Sequence, residues 1–378
     1  MKFLHLSDLH LGKRLNEYSL IEDQKFILKS ILDIAVKEKP DGVLIAGDVY
    51  DKSVPSGEAV SLFDEFLYSL SKLNLKVFVI SGNHDSPERL SFGSRLMDKS
   101  GIYISNVYDG KVVPVTMTDE YGKLNVYMLP FVKPSHVKRF FGEEIEGYTH
   151  ALKVAVDNLQ IDKAERNVLI THQFVTGASR TDSEDLTVGG TDNVDVCVFD
   201  DFDYVALGHI HRAQKCVSDK VRYSGTPLKY SLSEANDVKS VCVVELGEKG
   251  KLDLRFVPLK PLRDLVEIRG KYSEIMQKSF YENKTWQEDY VYVVLTDEEE
   301  IPDAIAKLRT VYHNVSAMRY DNKRTRKNGG VELLENIESK TPFQLFEEFY
   351  LMQNNSNMSI EQKQLVEELI DKIWRGEA

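Results

Sequence analysis

Ser81-Gly82-Asn83-His84-Asp85-Ser86-Pro87-Glu88-Arg89-Leu90 follows an apolar run, Lys76 to Ile80, that is rich in β-branched and aromatic residues and reads as a buried strand. Gly82 frees the backbone for a tight turn where the strand stops. An amide, an imidazole and a carboxylate then crowd the strand's carboxyl end, a place where an α/β sheet puts its ligands and a hydrophobic core has no use for them.

The same arrangement recurs. Phe3-Leu4-His5-Leu6 runs into Ser7-Asp8-Leu9-His10, and Gly42-Val43-Leu44-Ile45-Ala46 into Gly47-Asp48. Val168-Leu169-Ile170-Thr171 runs into His172, and Tyr204-Val205-Ala206-Leu207 into Gly208-His209-Ile210-His211. Alone, Asp8 reads as a turn residue, Asp48 as a helix cap and His172 as a satisfied core histidine. Five apolar runs in order, each delivering Asp, Asn or His, are not explained one at a time. His5 lies within a strand, and His136, His150 and His313 have no companion donors nearby, so these four take the ordinary structural reading.

A chain of 378 residues exceeds one ordinary core, so two or three domains are expected. At 42% hydrophobic and 29% charged the composition is that of a globular protein, without a membrane-spanning run or a signal-peptide core, and a cytoplasmic location is expected. Cys197, Cys216 and Cys242 lack metal-ligand spacing and read as small buried residues. The net charge of −12 argues against attachment to nucleic acid through a broad basic surface. It leaves room for a nuclease whose metal ions carry positive charge locally.

Along the chain, Ser19-Leu20-Ile21-Glu22 matches a capping box opening a helix, and Ser56 reads as the cap of the next. The faces near Leu28–Leu32 and Phe63–Leu67 are candidates for either core or a dimer contact. Strand, helix, strand, helix, strand at the outset is an α/β signature. The polar stretch from Thr176 to Asn193 is long for a loop in a compact domain and reads as functional or mobile. A boundary is expected near Pro258–Pro261. The expected divisions are residues 1–258, a small α/β unit at 262–321, a linker at 322–340 and a helical tail at 341–378. Lys323-Arg324-Thr325-Arg326-Lys327 makes the linker basic, and from Val331 onward acidic residues outnumber basic ones ten to four. Thr341-Pro342-Phe343-Gln344 opens one tail helix and Ser359 the other. Their apolar faces, including Phe343, Phe346, Phe349, Leu369, Ile370, Ile373 and Trp374, read as a partner site in preference to a fold-back onto the protein.

Asp8, His10, Asp48, Asn83, His172, His209 and His211 form a set of seven oxygen and nitrogen donors with no thiolate, which suits manganese, iron or zinc. Seven is too many for one ion and fits two that share a bridge, for which a carboxylate such as Asp48 is the natural choice. His84 is left over beside the donors, placed to steady charge or protonate a leaving oxygen, with Asp85 able to hold its tautomer.

These motifs resemble the calcineurin-like metallophosphoesterase superfamily, whose pattern runs Asp-x-His, Gly-Asp, Gly-Asn-His-Asp/Glu, His, Gly-His-x-His. Ser81 to Leu90, His172-Gln173-Phe174 through Val188-Gly189-Gly190-Thr191-Asp192, Leu207 to Arg212 and Tyr223-Ser224-Gly225-Thr226-Pro227-Leu228-Lys229-Tyr230-Ser231 further resemble the nuclease subunits of bacterial SbcCD complexes. That family is the counterpart of the double-strand-break repair nuclease of archaea and eukaryotes. The resemblance implies an α/β fold of two facing mixed β-sheets flanked by helices, with a small α/β cap facing DNA and a tail that binds the ATPase SbcC. It implies two manganese ions, with magnesium and zinc behind. Asp8, His10, Asp48 and His211 would hold one, and Asp48, Asn83, His172 and His209 the other. His84 would be the catalytic histidine, assisted by Asp85. The implied assembly is a homodimer within a heterotetramer. The implied activity is ATP-dependent double-strand exonuclease and single-strand endonuclease action in DNA end processing, repair and hairpin removal. The alternatives are a phosphodiesterase acting on a small molecule or protein, and a non-catalytic scaffold carrying DNA or SbcC.

Overall fold

The structure, a computed structural model, describes residues 1–142, 144–184, 192–325, 340–354 and 356–374. The chain divides into two compact units, Met1–Asp264 and Leu265–Ala378. In chain order the main strands of the first are β1 (Lys2–Leu6), β2 (Gly42–Ala46), β3 (Lys76–Ile80), β4 (Ile102–Ile104), β5 (Val115–Asp119), β6 (Gly122–Leu129), β7 (Arg166–His172), β8 (Tyr204–Gly208), β9 (Gln214–Cys216), β10 (Ser218–Tyr223), β11 (Ser240–Leu246) and β12 (Leu252–Pro258). Its main helices are α1 (Ile21–Glu38), α2 (Gly57–Lys72), α3 (Pro134–Phe141) and α4 (Gly147–Asp157).

Two six-stranded sheets result, ordered β12-β11-β1-β2-β3-β4 and β9-β10-β8-β7-β6-β5. Both are mixed. The runs β1-β2-β3-β4 and β10-β8-β7-β6 are parallel, and antiparallel strands close every edge but that of β4. The sheets face one another across one core. Phe3, Leu44, Phe78 and Ile80 from the first meet Leu124, Val126, Val168, Ile170, Tyr204 and Ala206 from the second. The alternate residues Val43, Ile45, Val77 and Val79 are buried too, on the other face of the first sheet, where α2 packs. Burial on both faces is why these strands read as continuous apolar runs and not as alternating ones. Outside the second sheet, Tyr127, Leu129, Leu169, Val205 and Leu207 pack with Val137 of α3 and Ala151, Leu152 and Ala155 of α4.

Leu28, Phe63 and Leu67 are buried in the core, whereas Leu32 is half-buried and Phe26 and Tyr68 on the same two helices are exposed. The Ser56 hydroxyl caps α2 by accepting the Ala59 N–H at 3.3 Å. Ser19 does not cap α1. It lies in a two-residue strand paired with Arg14–Leu15, and the helix begins at Ile21 after Leu20, which gives no side-chain cap, because the hairpin leads directly into it. Cys216 and Cys242 are buried, but Cys197 is exposed: the single turn Val196–Phe199 sends Val198 and Phe199 inward and leaves Cys197 outside.

In the second unit, β13 (Leu265–Gly270), β14 (Tyr290–Leu295) and β15 (Asn314–Tyr320) form a parallel sheet with β14 in the middle. With α5 (Ala304–Leu308) it encloses a core of Ile268, Val291, Val293, Leu295, Leu308 and Tyr312. Residues 326–339, which carry most of the expected linker, lie outside the described residues. The tail helices α6 (Pro342–Asn354) and α7 (Ile360–Trp374) pack on each other. Each starts with a reciprocal cap, Thr341 with Gln344 and Ser359 with Gln362. Phe346, Phe349, Leu365, Leu369 and Ile373 are exposed.

His5 is fully buried in β1, its Nδ1 2.8 Å from the Tyr204 hydroxyl and its Nε2 donating to the Leu207 carbonyl at 3.1 Å. Burial pulls its pKa down to about 3, against the pull of that carbonyl. The unfolded chain keeps a histidine near 6.5, so as pH falls below that value the unfolded state takes up a proton that the fold refuses. Stability therefore declines by up to about 1.4 kcal/mol per pH unit until the folded value is reached. In His5→Gln that slope disappears. Urea unfolding should show the variant's deficit at about pH 7 narrowing by about 2 kcal/mol at about pH 5. A deficit that stays constant would mean that His5 protonates as readily folded as unfolded.

Candidate metal centre

The donors arrive on the carboxyl ends of adjacent parallel strands from both sheets. Asp8 and His10 follow β1, Asp48 follows β2, and Asn83 and His84 follow β3. His172 ends β7, and His209 and His211 follow β8. The first two loops zip together: Asp8 N–H donates to Gly47 O at 3.0 Å, His10 to Asp48 O at 2.9 Å and Leu11 to Val49 O at 2.9 Å. The loops after β2 and β3, and the two sheets themselves, meet so closely here that side chains are excluded. A Cβ on Gly82 would lie 2.0 Å from Asp48 Oδ1, and one on Gly208 would lie 1.8 Å from the Ala46 carbonyl oxygen. Asp8, His10, Asp48 and His209 all hold positive φ, at 52°, 44°, 48° and 103°. Such strained non-glycine backbone concentrates at functional sites.

The structure brings all seven expected donors together, in two groups. In one, His10 Nε2 and His211 Nε2 face each other at 3.1 Å, with an Asp8 carboxylate oxygen in the same cluster. In the other, Asn83 Oδ1 lies 2.9 Å from His172 Nε2 and 3.0 Å from His209 Nδ1. Asp48 stands between them. Its Oδ2 is 3.4 Å from His172 Nε2 and 3.7 Å from His10 Nε2, while its Oδ1 accepts the His84 N–H at 2.9 Å. One oxygen therefore faces both groups, and the other is engaged by the backbone.

The donor chemistry fits a pair of divalent cations. Two imidazole nitrogens 3.1 Å apart can share at most one proton, whereas a cation satisfies both lone pairs. The electrostatics point the same way. Burial pushes the Asp8 carboxyl up to about 6, against the pull of His172 and His211. Burial would also raise Asp48, but His172, His10 and His84 around it hold it well below the usual carboxylate range. His172, which burial alone would lower, is pushed up to about 9 by Asp48. Asp48 thus draws positive charge into the interior, and a bound cation meets the same demand while displacing that proton.

His84 stands at the rim, with an 18% exposed side chain and its Nε2 3.9 Å from Asp48 Oδ2. Its Nδ1 donates to the Asp51 carbonyl at 3.0 Å. The expectation that Asp85 holds the His84 tautomer is corrected here. The Asp85 carboxylate accepts the N–H groups of Gly82 at 2.9 Å, Val49 at 3.1 Å and Tyr50 at 2.9 Å. It is turned down into the junction of two loops, and the Asp51 carbonyl stands behind the imidazole in its place. Burial pushes the Asp85 carboxyl up to about 6, helped by Asp48, against those three N–H groups.

An outer layer of residues was not anticipated. Gln24 of α1, 1% exposed, donates to the His10 carbonyl at 2.7 Å and accepts the Gly12 N–H at 2.9 Å. Tyr230 donates to Leu9 O at 2.6 Å and sets its ring edge-on to His10. Ser183, Glu184, Glu234 and Lys239 surround His211. The sequence signals for this layer were the polar Gln24 beside the apolar Ile27 and Ile31 on α1 and the length of the Thr176–Asn193 loop that carries Ser183 and Glu184. The Val188-Gly189-Gly190-Thr191 part of the loop lies outside the described residues.

The calcineurin-like phosphoesterase family matches residues 1–213, and the family described as a type 5 capsule protein repressor C-terminal domain (SbcD_C) matches residues 261–354. The chain is 38% identical over 324 residues to the SbcD component of the nuclease SbcCD from Staphylococcus epidermidis, covering 84% of this chain and 85% of that protein. Among solved structures, a dimetal phosphatase from Danio rerio aligns with 69% of this chain and 98% of its own at 11% identity and a TM-score of 0.41. The Escherichia coli phosphoesterase Yfce aligns with 65% of this chain and 88% of its own at 11% identity and a TM-score of 0.26. Those two likenesses are too distant to add weight. The two family matches, which span most of the sequence, and the close relative establish that the chain belongs to the calcineurin-like phosphoesterases and, within them, to the SbcD family.

Proposed function

We propose that this phosphoesterase is a manganese-dependent DNA nuclease subunit that works with an SbcC ATPase, with double-strand exonuclease and single-strand endonuclease action. The observation that carries the reading is the buried cluster around Asp48, seven donors in two groups with His84 at its open edge. The name of the Staphylococcus epidermidis relative, a nuclease component of SbcCD, supports DNA as substrate and SbcC as partner. Asp8, His10, Asp48 and His211 would hold one cation, and Asp48, Asn83, His172 and His209 the other. Bound there, two cations supply water activation and charge stabilisation on the attacking and leaving oxygens of a phosphodiester.

The chain's own residues do the rest. His84, partly exposed and fixed at Nδ1 by the Asp51 carbonyl, turns Nε2 toward Asp48 at the open edge of the cluster, where its protonated form can donate to the leaving oxygen. Asp85 is a positioning residue. By binding Gly82, Val49 and Tyr50 it locks the turn that carries Asn83 and His84 against the loop that carries Asp48. Residues 262–321 would face DNA and 341–378 would bind SbcC, within a homodimer that joins two ATPase subunits in a heterotetramer. The exposed Phe346 and Phe349 on α6 and Leu365, Leu369 and Ile373 on α7 supply the apolar surface for that contact.

His84→Gln should retain both cations and bind linear duplex DNA normally, yet lose about 100-fold to 10,000-fold in cleavage, the usual share of a general acid. Elemental analysis beside a nuclease assay checks this, and loss of a metal would make His84 a ligand.

Asp48→Ala should release both ions or leave one loosely held, since both donor groups lean on that oxygen. A variant that keeps two ions at wild-type affinity would remove the bridging assignment. On the wild type, EDTA should abolish cleavage of linear duplex and manganese should restore it. Activity confined to a generic phosphodiester would favour a small-molecule substrate.

A chain ending at Gly330 should stay folded and cleave DNA with manganese, but fail to pull down SbcC. In the full chain Phe346→Ala should weaken that capture, as loss of an aromatic anchor does. Aggregation of the shortened chain, or a much lower melting temperature, would show that the tail helices belong to the protein's own core.

A further inference from the structure

His211 differs from the other donors in how completely it is held. Its N–H donates to Glu184 Oε1 at 2.7 Å. Its carbonyl accepts from the Thr226 N–H at 3.0 Å and from Lys239 Nζ at 2.9 Å. Its ring Nδ1 lies 2.6 Å from the Ser183 hydroxyl. Only Nε2 is left, and it faces His10 in the donor cluster.

The Ser183 hydroxyl has one proton to give and two lone pairs. Its neighbours are Glu234 Oε1 at 2.6 Å, His211 Nδ1 at 2.6 Å and Thr181 Oγ1 at 3.0 Å. Glu234 is fully buried, and Lys239 Nζ lies 2.6 Å from its Oε2, an ion pair in which the carboxylate can only accept. The Ser183 proton therefore goes to Glu234. With that proton committed, His211 Nδ1 must be the donor to Ser183, and the proton it holds leaves Nε2 as a bare lone pair. We propose that Ser183, oriented by the Glu234–Lys239 pair, is a positioning residue that fixes the tautomer and ring direction of His211 for one of the two cations. The Lys239 ammonium binds both Glu234 and the His211 carbonyl, so one buried cation anchors the two ends of the chain Glu234–Ser183–His211.

Two of these contacts come from the long loop after His172. Ser183 reaches the ring of His211 and Glu184 its backbone. The stretch that was expected to be functional for its length thus supports a donor delivered by another strand. Behind His172, by contrast, Nδ1 donates to the Ala46 backbone carbonyl at 2.8 Å, a contact that no side chain relays. The Ser183 effect therefore falls on one cation and spares the other.

The inference rests on the metal-centre reading, and manganese titration of the full, chelator-treated chain separates the two. Wild type that binds no manganese would sink the metal centre itself. If wild type binds two, Ser183→Ala should weaken one of them about 10-fold to 100-fold, the usual cost of losing a partner behind a metal-bound histidine, and leave the other unchanged. Ser183→Thr, which keeps the hydroxyl, should restore the lost affinity. The melting temperature of the chelated Ser183→Ala chain should match wild type. Equal affinity for both ions in Ser183→Ala, parallel weakening of both, or no rescue by Thr would each overturn the proposal.

Discussion

Asp48 is the group that the first unit has to accommodate. It is 1% exposed, and a carboxylate taken out of water costs several kcal/mol unless partners replace the lost hydration. The His84 N–H takes one oxygen, and His172, His10 and His84 ring the other. Gly82 passes so close that any side chain there would overlap the carboxylate. These demands fix the spacing of the ends of β1, β2, β3, β7 and β8, and with it the meeting of the two sheets.

Backbone geometry follows from the same crowding. Asp8, His10, Asp48 and His209 adopt left-handed φ, at a cost on the order of 1–3 kcal/mol each. Aspartate and histidine tolerate this conformation better than most side chains do, but local preference alone does not hold it. What holds it is the run of backbone hydrogen bonds between the loops after β1 and β2, and the Asp8 carboxylate on the His209 N–H at 3.0 Å. The donors converge because the loops that bear them are tied to one another before any side chain is considered.

Charge sets the range over which the site acts. With a net charge of −12, the chain as a whole repels a polyanion. Attraction for a phosphodiester has to be local, and cations in the cluster around Asp8 and Asp48 would supply it. Such attraction fades within a Debye length, about 8 Å at physiological salt, so binding of a nucleic acid at a distance falls to other surfaces or to a partner.

The seven donors and His84 were legible in the sequence because each sits within a few residues of an apolar run, and covalent proximity to a strand end is a one-dimensional signal. His5 was separable from them by the same logic, since it lies inside its strand. The parallel α/β strands were legible because strands buried on both faces are apolar throughout, whereas their division into two facing sheets followed only from the family resemblance. Asp85 was misread because the three N–H groups it binds belong to two loops, those of Gly82 and of Val49 and Tyr50, whose junction exists only in the fold. Ser183 was flagged only through the length of its loop and Glu234 not at all: their bond spans 51 residues, and Ser183 meets His211 across 28. Cys197 and Ser19 were decided by which way a short turn and a hairpin happened to face. Residues that converge on the donor cluster can be read from the chain because strands deliver them directly. Residues that orient them cannot, because hydrogen bonds over 2.6 to 3.1 Å are set by tertiary packing alone.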